Sequence, residues 1–319
     1  MLEQSMPNIE TRRKFLRKTV LTGSAVTAGF VSRLLKPPQV FSNDDPAAVD
    51  VAVVSGTPEK TVKHAFELLG GVEKFIHAGD LVLLKPNISF PNPERWGSTT
   101  SPAIVSAVAR LALQAGAERV IVADNTMQDR ALCFEKTGIN AEFDGVEKVN
   151  LIQLNRESFF SETTVTDGKA LTSVKIAKLI DRCDVLINLP CAKSHAATDV
   201  SFGLKNLMGL IWDRKYFHTG TDLHAGIAEL ATIIRPHITI LDASRALVTA
   251  GPTGPGKVQE LRTVIAGVDP LAVDAYACTL VPWNNRSISA QMVKHLNHAS
   301  SLGIGEIDLN RLEIVKTSV

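Results

Sequence analysis

Residues 183–195 read CDVLINLPCAKSH. An apolar run of strand length (184–189) stops at Pro190 and releases Lys193 and His195. The stretch 80–87, DLVLLKPN, has the same form: an apolar run, then Lys85, Pro86 and Asn87. Residues 119–125 repeat it, with Arg119 to Ala123 closing on Asp124-Asn125. Runs this continuously apolar are buried on both faces, which is the habit of parallel strands covered by helices. Helical segments lie between them: Glu59 to Leu69 before Gly70-Gly71, and Pro102 to Ala115 before Gly116. Ser101 and Pro102 stand where a cap and a first-turn proline belong. The alternation predicts an α/β fold, a mostly parallel sheet flanked by helices.

Working outward, Ile238 to Leu241 and Arg262 to Ala266 read as further strands, the first ending at Asp242. Helices are expected over Asp222–Ile233 and Asp269–Leu280, with Asp222 and Asp269 as caps. Residues 126–182 are less regular. A helix over Arg130–Lys136, a strand over Val149–Leu154 and polar β-like segments at 163–176 could make a small inserted antiparallel lobe. The expected organisation is one α/β domain over 43–319, preceded by a separate segment over 1–42.

That first segment reads as an address. Thr11-Arg12-Arg13-Lys14-Phe15-Leu16-Arg17 has paired arginines, then Phe-Leu, then another base; a mildly apolar run, Val20 to Val31, follows. The pattern is that of a twin-arginine signal, and the run is shorter than the ~20 residues of a membrane span. The expected partner is the twin-arginine translocation machinery and the expected location the periplasm. Membrane anchoring would come only through an uncleaved signal.

The chain of 319 residues has a formal net charge of +1 and its basic residues are scattered, so no nucleic-acid partner is expected. Four cysteines (Cys133, Cys183, Cys191, Cys278) lie far apart with no CxxC pair, so an iron–sulfur cluster is not expected. No GxSxG elbow, GxGxxG turn or GxxxxGK[ST] loop is present, which disfavours serine hydrolysis and the usual dinucleotide and nucleotide sites.

Chemistry concentrates after Pro190. Lys193 and His195, two apart, face the same way if the chain stays extended. An ammonium beside the imidazole favours its neutral form, the form that acts as a base or a metal ligand. Gly203 to Gly209, GLKNLMG, sets Lys205 and Asn206 between glycines, where backbone can approach a ligand and Lys205 can neutralise an anion. His218 and His224 are six apart, which does not place them on one helix face. Lys85, Asn87, Asp124 and Asp242 all end strands, and ligands of open α/β sheets bind beyond such ends. The candidate catalytic residues are therefore Lys193, His195 and His224. The candidate ligand-binding residues are Lys85, Asn87, Lys205, Asn206, Asp124 and Asp242. His195 and His224 are the candidates for a metal ion, which the sequence leaves open. His64, His77, His237, His295 and His298 read as structural or surface residues, and Gly251 to Gly256 as either a lid or a long turn.

Several of these segments, in order, resemble the domain-of-unknown-function 362 (DUF362) family. They are LLKPN (83–87), Thr100-Ser101-Pro102, AGA (115–117), INLPCAKSH (187–195), GLKNLMG (203–209), His224, LDA (241–243), GP…G (251–256) and AGVDPLAVDA (266–275). The resemblance covers roughly 50–280. Many members of that family carry ferredoxin-type cysteine clusters beside the domain; this sequence has none. A fainter likeness is to the nickel-pincer lactate racemases, which also set lysine and histidines on an α/β scaffold. The functional expectation is an exported enzyme that binds an anionic small molecule or cofactor in a Lys/His-lined crevice. Redox and racemase-like proton-transfer chemistry both remain open, as does a non-catalytic periplasmic carrier of an anion, metal or cofactor.

Overall fold

The computed structural model of the protein describes residues 49–319. The twin-arginine-like stretch, the apolar run after it and the short linker to residue 48 lie outside the described residues. Among the described residues no helix is long and apolar enough to cross a membrane.

Among the described residues there are twelve strands: β1 (Val51–Ser55), β2 (Leu81–Pro86), β3 (Arg119–Asp124), β4 (Val149–Gln153), β5 (Phe160–Thr164), β6 (Ser173–Ala177), β7 (Val185–Leu189), β8 (Cys191–His195), β9 (Asp199–Ser201), β10 (Ile238–Leu247), β11 (Val258–Gly267) and β12 (Ile314–Ser318). The main sheet runs β12-β1-β11-β10-β7-β2-β3-β4, with β8 added to β10 and β9 to β8. Its pairs β10–β7–β2–β3–β4 and β1–β12 are parallel; β11 runs antiparallel to both neighbours. The fold is thus α/β, as expected, with helices on both faces.

Alternation along each strand sorts the side chains between two cores. Val82, Leu84, Val120, Val122 and Ile187 join one cluster with the helices Pro58–Leu68 and Pro102–Gln114. Leu83, Ala123, Leu186 and Leu241 join the other with Leu223–Ile233, Pro270–Ala277 and Lys294–Ser301. Burial on both faces is why these strands lack a polar side.

Strand order reverses between β2 and β7. From β2 the chain steps outward to β3 and β4, then returns to the other side of β2 as β7. The helix after β2 packs into one core and the helix before β10 into the other. A crevice opens outside the carboxyl ends of strands at such a switch point. Lys85 to Asn87 and Asn188 to Pro190 flank it.

Three expectations need correction. The stretch after Pro190 is not a loop: β8 and β9 pair as a hairpin, and β8 also pairs β10. Asp242 does not end its strand, because β10 continues to Leu247, pairing β7 through its first half and β8 through its second. Proline has no N–H to donate, yet the Pro190 carbonyl accepts from Asp242 N (2.8 Å), so the strand is handed over across the break. Ser101 does not cap its helix through its side chain; Oγ donates instead to Glu94 Oε1 (2.7 Å). Asp222 and Asp269 do cap theirs, each accepting two backbone N–H groups.

Within 126–182, β4 belongs to the main sheet, while β5 and β6 form a separate two-stranded antiparallel sheet. Buried Glu229 fastens the β5–β6 connection by accepting from the backbone N–H groups of Lys169, Ala170 and Leu171 at 2.8–3.0 Å. Glu229→Ala leaves those donors without their acceptor. Urea unfolding should show a loss of about 3 kcal/mol, and Glu229→Gln, which keeps one oxygen, should lose less.

Candidate functional site

At the carboxyl ends of β2 and β3 lies a buried polar network. Lys85 is 1% exposed and its Nζ is 3.0 Å from Asp124 Oδ1. It also donates to Pro86 O (2.6 Å) and Asn206 Oδ1 (3.4 Å). Burial lowers the Lys85 pKa, and the Asp124 carboxylate opposes that. Asp124 Oδ2 accepts from Ile88 N at 2.7 Å, fixing the turn after β2. Asn206 donates to Lys85 O and Asn188 Oδ1, both at 2.9 Å, and accepts from Asn87 Nδ2 at 3.1 Å. The carbonyl of Asn87 then accepts from Lys193 Nζ at 3.1 Å. One chain of contacts therefore links Asp124 to Lys193. Gly209 sits directly against it, where a Cβ would overlap the Asp124 carboxylate and the Lys85 side chain. Asp274 holds the GLKN segment in place by accepting from Gly203 N (2.7 Å) and Leu204 N (2.9 Å).

In front of this network is a cavity of about 230 Å³. Asn87, Lys193, His195 and Lys205 line it, together with Ser89, Phe90, Ser201, Arg214, His218 and others. Lys193 Nζ donates to Asn87 Oδ1 and Ser98 O and stands 5.1 Å from the Phe90 ring centre, so it is well held. Lys205 differs. It is 6% exposed, and its single polar contact among the described residues is Met208 Sδ at 4.0 Å. Burial, then the charges of Arg214 and Lys193, push its ammonium down to about 7.

His195 Nδ1 accepts from Ala197 N at 3.1 Å, so its neutral ring carries the proton on Nε2. Burial, with Lys205 and Lys193 adding repulsion, pushes its pKa down to about 2. It is therefore a neutral hydrogen-bond donor across the ordinary pH range. His218 is the opposite tautomer: Nδ1 lies 2.7 Å from Arg214 O, which can only accept, leaving Nε2 as a free lone pair. Arg214 donates to the Asn125 carbonyl and reaches Ser89 Oγ at 3.4 Å, and its buried Nε has no partner.

The sequence-predicted residues thus divide. Asn87, Lys193, His195 and Lys205 line the cavity. Lys85, Asp124 and Asn206 stand behind it as the network that holds Asn87 and Lys193. Asp242 accepts from Ser101 N (2.7 Å) and Ser244 N (2.8 Å), pinning backbone on each side of the β10 bend. His224 is not among the lining residues. Its ring stacks on His295, with centres 6.0 Å apart. His295 is fully buried, and burial pushes its pKa down to about 3. Among the described residues no three His, Cys, Asp or Glu side chains are placed to hold one metal ion. The Gly251–Gly256 loop contributes Pro252 and Thr253 to the wall. It is tied down by Asn92 Nδ2 on Thr253 O (2.8 Å) and by Gly251 N on Ser194 Oγ (3.1 Å).

Arg214 and Ser89 were not legible from sequence. Arg214 follows Asp213, whose side chain caps the helix Arg214–Thr219, so it reads as an ordinary first-turn residue. His218 stood in the dense segment, but its spacing from His224 gave no reason to choose it.

The arrangement defines an α/β protein with a cation-lined crevice at its topological switch point. The chain belongs to the DUF362 family, "Domain of unknown function (DUF362)", whose model matches residues 82–279. A thylakoid-associated protein of Synechocystis sp. is 28% identical over 227 residues, covering 69% of this chain and 68% of that one. The apoprotein of lactate racemase from Thermoanaerobacterium thermosaccharolyticum aligns over 71% of this chain with a TM-score of 0.42 and 14% identity. This chain spans 55% of that protein's length.

Proposed function

We propose that the crevice binds a small organic anion and moves a proton at the carbon next to its charged group. The observation that carries this is Lys205, a buried amine with no oxygen acceptor and a pKa near 7. A general base is most useful when its pKa lies near the working pH. Lys205 removes the proton as the neutral amine and becomes an ammonium; the C–H electron pair moves onto the substrate's carboxyl oxygens. His195 Nε2–H and the Lys193 amine, held by Asn87 Oδ1 and Ser98 O, donate to the resulting oxyanion. Burial lowers the Lys193 pKa, and the developing negative charge favours its charged form. Return of the proton by Lys205 to the same face gives exchange alone, and return after the planar intermediate turns over gives racemisation, with no outside oxidant in either case. The neutral tautomer of His195 supports the donor role, which reverses the expectation that histidine would be the base and lysine the charge partner.

The test is exchange in heavy water. A panel of 2-hydroxy and 2-amino acids is incubated with the protein in D₂O, and loss of the α-proton signal is followed by NMR. At least one acid should exchange. At low substrate the rate should rise with pH through about 7, where ligand-free Lys205 loses its proton. At saturation it should rise at a higher pH, because the bound anion favours the ammonium, while Lys205→Arg should abolish exchange. Tight binding of an acid with no exchange would contradict proton transfer and favour a carrier.

Export by the twin-arginine route is also proposed, supported by Arg12-Arg13 and the Phe-Leu-basic sequence after them. Replacing both arginines by lysine should leave the protein in the cytoplasmic fraction. Unchanged fractionation would contradict it.

A further inference from the structure

The charge of the ligand follows from what faces the cavity. Lys193, Lys205 and Arg214 all line it, and none of the described lining residues is Asp or Glu. The carboxylate behind the wall, Asp124, is committed to Lys85 at 3.0 Å and to Ile88 N at 2.7 Å. Lys193 has neutral oxygen acceptors but no carboxylate. Lys205 has only a thioether, and Arg214 only a hydroxyl and a carbonyl, with its buried Nε unpartnered. Cationic groups without counter-charges are costly to bury, so the buried amines of Lys193 and Lys205 and the half-buried guanidinium of Arg214, facing one space, favour a ligand with more than one negative charge. Ser89, Ser201 and His195 Nε2–H add donors, whereas His218 Nε2 is the one imidazole lone pair left for accepting. The space, about 230 Å³, lies just below the range of pockets that take drug-sized molecules, which fits a small ligand.

We propose that the ligand is a compact organic dianion: a body of a few carbons bearing either two carboxylates or one phosphate monoester. This rests on the anion-binding reading above and narrows it. Binding such a dianion returns Lys205 to its charged form, so at pH 8 the complex takes up about one proton, because a nearby anion favours the ammonium.

Calorimetry on the protein at pH 8 and constant ionic strength, in two buffers of different ionisation enthalpy, tests this directly. The probes are the monoanions acetate and lactate, the dicarboxylates malonate and malate, and the phosphate monoester glycerol phosphate. At least one dianion should bind about tenfold or more tighter than the monoanion of related skeleton, with uptake of about one proton. Lys205→Met should remove both the uptake and the preference. The carboxylate and phosphate arms show which source supplies the charge. Equal binding of monoanions and dianions overturns the dianion while leaving anion binding intact. Absence of binding by every anion overturns the anion reading itself.

Discussion

Lys205→Met is expected to remove the preference for dianions and, at the same time, to raise the melting temperature. The side chain is 6% exposed and meets one sulfur, so the folded protein carries an ammonium that nothing in the chain compensates. Methionine has nearly the same length and no charge. Replacing buried charge by apolar volume stabilises proteins by roughly 1–4 kcal/mol, which for a chain of this size is a rise of several degrees. The gain depends on pH in a definite direction. The folded pKa of about 7 lies below the usual lysine value of 10.5, so the unfolded chain binds more protons between the two. The contribution of Lys205 to stability is therefore present above about 10.5, declines as pH falls and is lost below 7. The difference in melting temperature between variant and unaltered protein should be largest at pH 6 and should shrink steadily toward pH 10. Asp274, whose carboxyl burial pushes up to about 7, titrates in both proteins and cancels in the difference. A variant less stable at every pH would mean that Lys205 is held by partners other than those described.

The second large effect is on Asp124. Asp124→Ala should cost about 3–5 kcal/mol in urea unfolding, because it strands a Lys85 ammonium that is 1% exposed. It also takes the acceptor from Ile88 N. Without the carboxylate nothing opposes the burial that already lowers the Lys85 pKa. Lys85 then sheds its proton more readily, and the deficit shrinks as pH rises. Lys85→Met combined with Asp124→Leu should recover most of the loss while leaving Asn87 and Lys193 less well placed. The double variant is thus expected to be folded but weak in anion binding. Recovery of stability together with undiminished binding would remove the network from any positioning role.

Much of this fold is legible in the sequence because its strands announce themselves. LVLLK and VLINL are apolar but for Lys85 and Asn188, and runs this apolar belong to a sheet covered on both faces. The reversal of strand order, which makes the crevice, is not legible, since nothing local says that β7 returns beside β2. Strand β8 was also hidden. CAKSH looks like a loop because it is polar, yet all five residues are buried, and the groups that satisfy Lys193 lie about a hundred residues away at Asn87 and Ser98. Asp242 misled for a related reason. A strand aspartate reads as a terminus unless its acceptors are known to be filled, and here Ser101 N and Ser244 N fill them. Lys85 could be found because a lysine closing an apolar strand is conspicuous, Lys193 because it follows such a strand past Pro190, and Lys205 because it stands between glycines in GLKNLMG. Arg214 could not, because on an exposed first turn arginine is commonplace.

The central claim is that Lys205 is a buried amine poised near neutrality in a crevice built for negative charge. Its most direct test is NMR titration of the lysine side chains, with the Lys205 signal assigned by its absence from Lys205→Arg. The Lys205 signal of the ligand-free protein should titrate near 7, and saturation with a bound dianion should shift that titration upward by a unit or more. A Lys205 signal that titrates near 10.5, with or without anion, would contradict the account.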